Sequence, residues 1–134
     1  QLKTGTKITK KRISIFKAYD NFFKNNPTYY QIETPKLEKF NIGNGHFYWI
    51  LIPKNKRKEF LEKSKIHGLE LTTHYEPLHN SKAGKKFGKS IVNLKNTENL
   101  SKRILRIPIH TQMEAIEQKL ILKILKKTID DCLI

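Results

Sequence analysis

Cysteine is nearly absent from this chain: Cys132 stands alone, so no internal disulfide can staple the fold and no cysteine pair can hold a metal. Its place in an amphipathic terminal stretch marks it as a small residue packed in a helix. Long apolar runs are missing as well. The longest, Phe47-Tyr48-Trp49-Ile50-Leu51-Ile52, is far short of a bilayer span. No basic-then-apolar leader opens the sequence. A reducing, cytoplasmic setting with no membrane partner is the expectation.

Acidic residues are few, 12 against 27 basic ones, which leaves a net charge of +15. Such a balance rewards binding to polyanions through counterion release. Arginine, the better fork for bases and phosphates, is scarce, however: Arg12, Arg57, Arg103 and Arg106 are the only ones, and the lysines spread over the whole length. A free-standing basic module for nucleic acid or another polyanion is therefore a competing reading, with no specific nucleic-acid partner expected. Catalytic constellations are lacking too. No His-Glu-x-x-His helix, Ser-His-Asp set or Cys-His pair can be assembled, so neither metal ligands nor catalytic residues are assigned.

What is present fits one domain of 134 residues. Apolar residues at Ile8, Ile15, Phe16, Tyr19, Phe22 and Phe23 sit mostly at helical spacing and stop before Asn25-Asn26-Pro27. Gln1-Leu2-Lys3 carries no start signal, which predicts a chain that begins inside a longer helix. Gly43-Asn44-Gly45 predicts a turn, and His46 to Ile52 a buried strand with Phe47 and Trp49 in the core. Asn55 predicts a cap for a helix from Lys56 to His67, stopped by Gly68, with a second strand from Leu69 to His74. A helix from about Thr97 to Leu105 then passes into extended Arg106 to Ile109. Thr111 and Glu114 read as a capping box for the last helix. Its apolar stripe is Met113, Ile116, Leu120 and Ile124, with Ile121 and Leu125 beside them. The sum is an α/β fold, a small two-layer domain with a short few-stranded sheet covered by helices. The strand direction stays open, a parallel pair being compatible with a helical crossover.

The segment Thr73 to Gly88 concentrates polar chemistry in little apolar periodicity: His74, Tyr75, Pro77, His79, Gly84 and Gly88. An imidazole that hydrogen-bonds a polar ligand is the functional reading, and a histidine capping its own loop the structural one. Gly84-Lys85-Lys86-Phe87-Gly88-Lys89-Ser90 falls one residue short of the phosphate-binding loop spacing and reads as a flexible basic loop.

In order, several landmarks form one pattern: Gln1-Leu2 and the helix through Arg12, Asn44-x-His46, His74-Tyr75-x-Pro77-Leu78-His79, Ala83-Gly84-x-x-Phe87-Gly88, and Arg103-Ile104-Leu105-Arg106-Ile107-Pro108-Ile109. That pattern resembles the C-terminal small domain of the DegT/DnrJ/EryC1/StrS sugar-nucleotide aminotransferases. Within the family it is most similar to the dTDP-4-amino-4,6-dideoxygalactose transaminases. The resemblance implies a small domain over 1–134, with a connecting helix over 1–25 and an α/β body over 44–134. It also implies pyridoxal phosphate (PLP) in the intact enzyme, glutamate and a nucleotide-linked keto sugar as substrates, and a homo-oligomer. The Schiff-base lysine and the acid that pairs with the pyridinium nitrogen would belong to a large N-terminal domain outside this chain. No cofactor is expected on this chain alone, and a non-catalytic remnant or accessory subunit is a further alternative. By the same resemblance His74, Tyr75, His79, Asn44 and His46 face the sugar nucleotide. Ser81-Lys82 departs from the Cys-Pro pair that many relatives carry before Ala-Gly. A missing partner domain would leave Ile15, Phe16, Tyr19, Phe22 and Phe23 exposed and lead the isolated chain to self-associate.

Overall fold

The computed structural model describes residues 2–36, 40 and 43–134, so Gln1 of the Gln1-Leu2 landmark lies outside the described residues. The first helix, α1, is Leu2–Lys24. Its Ile15, Tyr19 and Phe23 recur every four residues and are buried, with Phe16 and Phe22 half-buried against them. This corrects the expectation that these five form a bare face: they close over the sheet of this same chain. Pro27 opens the 3-10 turn Pro27–Tyr29, while Asn26 Nδ2 donates to the Phe22 carbonyl at 2.6 Å and ties off the helix.

Three short strands make the sheet: β1 (Tyr48–Leu51), β2 (Thr72–Thr73) and β3 (Ile104–Ile107). Their order is β1-β3-β2 and both pairings are antiparallel, with Arg106 opposite Trp49 on one side and Thr72 on the other. The last strand in sequence thus lies in the middle. Leu105 was expected to end a helix, yet it belongs to β3 and is fully buried. Arg103 helps fix that switch. Its Nε donates to the Ile52 carbonyl at 3.1 Å and its guanidinium pairs with Glu33 at 2.6 Å, which docks the chain on β1 one residue before β3 begins.

Alternation along β1 turns Tyr48 and Ile50 into the core at 0% exposure. Phe47 and Trp49 are only half-buried, which corrects their expected core positions by one residue of register. Around Tyr48 gather Phe16 at 4.8 Å, Tyr19 at 5.6 Å and Phe23, stacked at 6.0 Å between ring centres. The Tyr19 hydroxyl donates to the Pro108 carbonyl at 2.7 Å, joining α1 to the chain just past β3.

Helix α2 (Arg57–Ile66) follows a 3-10 turn at Lys54–Lys56, and no side chain caps it, so Asn55 does not fill the role expected of it. Gly68, at φ 89°, ends that region as expected. Helix α5 (Ala115–Leu133) begins at Glu114 without a side-chain cap, so the Thr111–Glu114 capping box does not form. Its buried stripe is Ile121, Leu125, Thr128, Ile129 and Cys132, whereas Ile116 and Leu120 are exposed. The stripe is turned by about one residue because α5 packs on both α2 and α1 through its later turns. His67 pins that contact: its Nδ1 lies 3.0 Å from Thr128 Oγ1 and its Nε2 3.3 Å from Asp131.

Between β2 and β3 lie a 3-10 turn at Leu78–Asn80, then α3 (Lys82–Phe87) and α4 (Lys95–Ser101). The glycine-rich stretch expected to be a flexible loop therefore starts inside α3. Ser81 caps this helix, accepting from the Gly84 N–H at 2.9 Å. A Cβ on Gly84 would sit 1.6 Å from the Leu78 carbonyl oxygen, so only glycine lets α3 lie against the preceding turn. Among the described residues, no helix is long and apolar enough to cross a membrane.

Candidate functional site

Helices α1, α2 and α5 cover one face of the sheet, and the candidate site forms on the other. The chain reaches it through the turn at Gly43 to His46. Gly45, at φ 62°, passes so close to α1 that a Cβ would lie 2.8 Å from the Arg12 carbonyl carbon. That contact holds Asn44 and His46 beside the start of β1. The His46 backbone N–H donates to Asn44 Oδ1 at 3.1 Å, and His46 Nδ1 lies 2.7 Å from the same oxygen. Since the oxygen can only accept, Nδ1 is the donor in this contact, which leaves Nε2 free to meet a ligand.

From His46 a line of rings crosses the open face. His46 meets Phe47 edge-on at 4.2 Å, Phe47 lies 5.8 Å from His74, and His74 lies 5.4 Å from Tyr75. The Arg106 guanidinium sits 5.7 Å over the Tyr75 ring. Asn44, His46, His74 and Tyr75 are thereby brought together from two separate parts of the chain. Arg106 and Phe47 complete the group and were not singled out from sequence. The available signal for Arg106 was its place in the Arg-Ile-Leu-Arg-Ile-Pro-Ile run, where alternation puts it opposite Leu105 and Ile107.

Two buried atoms in this group lack a hydrogen-bond partner: His74 Nδ1 and Arg106 Nε. Buried polar groups are rarely left so, because an unmade hydrogen bond costs about 1–3 kcal/mol. Both atoms suit an oxygen-rich, anionic ligand. Beside His74 a hollow of about 350 Å³ is lined by His74, Tyr75, Glu76, Pro77, Leu78 and Ile104, among others. None of its lining residues is a lysine.

His79 stands apart from the ring line. It lies on the 3-10 turn, its Nε2 3.3 Å from Glu98 on α4, with its side chain 18% exposed. It lines a second hollow of about 480 Å³ with Gly84, Lys85, Lys89 and Leu94. Leu78 and Thr97 border both hollows, so His79 is a neighbour of the His74 group rather than a member. Among the described residues there is no group of three or more His, Cys, Asp or Glu able to hold a metal.

Known proteins share both this architecture and parts of this sequence. The solved structure of PseC from Helicobacter pylori, an aminotransferase involved in the biosynthesis of pseudoaminic acid, superposes with a TM-score of 0.82 at 24% identity. It covers 98% of this chain and 35% of that one. The putative sugar aminotransferase Spr1654 of Streptococcus pneumoniae, in its PLP-form, gives a TM-score of 0.82 at 20% identity, covering 100% of this chain and 34% of that one. At these identities the likeness establishes the fold. In sequence, the UDP-4-amino-4,6-dideoxy-N-acetyl-β-L-altrosamine transaminase of Campylobacter jejuni is 32% identical over 124 residues, covering 90% of this chain and 32% of its own length. The same enzyme from a second C. jejuni strain matches equally, so the chain spans about a third of the length of these relatives. A model of the DegT/DnrJ/EryC1/StrS aminotransferase family matches residues 1–126, and the chain belongs to that family.

Proposed function

We propose that this chain is the small-domain portion of a cytoplasmic, PLP-dependent aminotransferase that moves an amino group from glutamate onto a nucleotide-linked keto-deoxy sugar. The observation that carries the reading is the family match over residues 1–126, which spans nearly the whole chain. The relatives' shared length supports a division in which a larger domain holds the cofactor and this one helps to hold the sugar nucleotide. Both C. jejuni relatives are named for a UDP-linked 4-amino-4,6-dideoxy sugar. That favours a UDP-linked sugar with its keto group at C4 over a dTDP-linked one.

When bound, PLP supplies the electron sink for amino transfer. On this reading the covalent attachment of PLP belongs to the proposed large domain. This chain's residues act on the other reactant. Arg106 and His74 supply the unpartnered polar atoms, His46 presents Nε2, and Tyr75 gives a face for packing. Together they would orient the sugar nucleotide and exclude water from it.

The test uses the longer enzyme that contains this chain. His74→Ala is expected to lower kcat/KM for the sugar nucleotide about ten- to a hundred-fold, the equivalent of one charge-assisted hydrogen bond, while the cofactor's absorbance stays unchanged. His79→Ala should act less on kcat/KM, because its partner in this structure is Glu98. Loss of cofactor binding with normal handling of the sugar would place the His74 group against the wrong ligand. No effect on either quantity would make His74 structural.

A further inference from the structure

The other face of the sheet carries a further polar hollow, of about 340 Å³, where the first turn of α2 meets β2 and the end of α4. Its lining is Lys54, Arg57, Lys58, Leu61, Thr73 and Lys102. Four of those six residues are cations and none is an acid. They converge from three parts of the chain: the 3-10 turn with α2, the strand β2, and the C-cap of α4. Thr73 pairs with the core residue Leu105, so it lies on the helix-covered side, while His74 turns to the open face beside Phe47. The hollow is thus distinct from the candidate site.

Its charges are poorly answered from within. Lys58 meets Glu62 at 3.9 Å with both side chains largely in solvent, a contact of little worth. Glu59, the acid in the first turn of α2, is engaged instead by Lys56 at 3.0 Å and Lys63 at 3.2 Å. Arg57 Nε is buried without a hydrogen-bond partner. An unanswered guanidinium N–H with three lysines around it calls for a negatively charged acceptor. A hydroxyl from Thr73 offers a further donor at the rim.

We propose that this hollow binds a phosphate-type oxyanion, either free or as the phosphate end of an ester, with Arg57 and Lys102 as its principal contacts. Concavity argues for a small ligand held at one point. A polymer would use a continuous stripe of charge instead. The site lies apart from the His74 group, so the proposal stands independently of the aminotransferase reading.

The experiment is an amide-shift titration of the isotopically labelled chain with inorganic phosphate, diphosphate and UDP, at constant ionic strength set with sodium chloride. Saturable shifts centred on Arg57, Lys58, Thr73 and Lys102 are expected. The double variant Arg57→Gln/Lys102→Gln should weaken the binding about ten- to a hundred-fold, with the remaining spectrum superimposing on the parent's. Should that variant misfold, Lys54→Gln provides a second measurement and should also weaken binding. Equal midpoints for diphosphate and UDP would identify a free oxyanion as ligand. Tighter UDP binding with added shifts around Leu61 would identify a nucleotide ester. Unsaturable shifts spread over the lysines of α1, or a folded double variant with unchanged affinity, would overturn the proposal. So would tighter binding of a thymidine oligonucleotide through α1, which would make the basic surface a polymer face.

Discussion

Tyr19 shows how much one hydroxyl can do at the junction of helix and sheet. It is fully buried, its ring packs on Tyr48, and its O–H donates to the Pro108 carbonyl at 2.7 Å. Tyr19→Phe keeps the ring and leaves that carbonyl without the donor, so a loss of about 1–2 kcal/mol is expected in denaturant unfolding. Burial also raises the phenol of Tyr19 well above its usual value, with Glu117 adding to the effect, and does the same to Tyr48. The sign follows from proton linkage. The folded state holds both phenols neutral, so the unfolded chain releases protons first as pH rises past the ordinary value of 10.0. Stability conferred by these two rings is fully present below that pH and is lost above it. A pH series of unfolding midpoints should therefore fall in the alkaline range, and fall less steeply in Tyr19→Phe. An alkaline limb identical in the parent and the variant would detach the effect from Tyr19.

Elements with strong local signals were legible in the sequence, and those settled by neighbours were not. Helix α1 follows from its apolar spacing and α5 from its apolar stripe, whereas α2 was legible from the Gly68 stop, its expected Asn55 cap not forming. Of the apolar stripe expected near α5, Met113, Ile121 and Leu125 are buried but Ile116 and Leu120 are not, because the sequence offers apolar residues around much of the helix and only the packing against α2 and α1 selects among them. The central place of β3 was not legible for a similar reason: pairing order depends on contacts far apart in sequence. In the candidate site, His46 and His74 were visible as residue types, but the Phe47 bridge between them exists only once β1 and β2 flank β3. α3 was missed because two glycines in a short stretch argue against a helix, whereas the Ser81 cap and the Leu78 carbonyl contact explain it. Gly84→Ala tests that account. The added methyl must displace the Leu78 turn, so α3 should move off it, exposing His79 and raising amide exchange from Leu78 to Phe87. Unchanged exchange across this segment would show that the turn yields without consequence.

On the scale of the whole molecule, burial and exposure divide unevenly. The core is continuous from α1 through the sheet to α5 and is supplied entirely by this chain. Between β2 and β3 the balance reverses. Leu78 is 84% exposed, Phe87 80%, Ile91 94% and Val92 66%, all in the stretch that borders the two hollows of the open face. Large apolar side chains crowded beside a polar site usually mark a surface covered by a partner. The chain spans about a third of the length of its relatives, and under the proposed function the larger domain is the partner that this strip would meet. A concrete expectation follows for the chain studied alone. It should unfold cooperatively, because its buried cluster runs through its main elements, yet under the proposed division of labour show no turnover with glutamate and a UDP-linked keto sugar. Supplying the other two-thirds of the enzyme as a second polypeptide should restore turnover and protect the amides of Phe87, Ile91 and Val92 from exchange. Ile91→Ser/Val92→Ser should then weaken the reassociation while leaving the unfolding of the isolated chain nearly unchanged, since neither side chain packs in the core. Turnover by the 134-residue chain alone would break this division of labour. Restored activity without protection of those amides would keep the division but move the interface elsewhere on the surface.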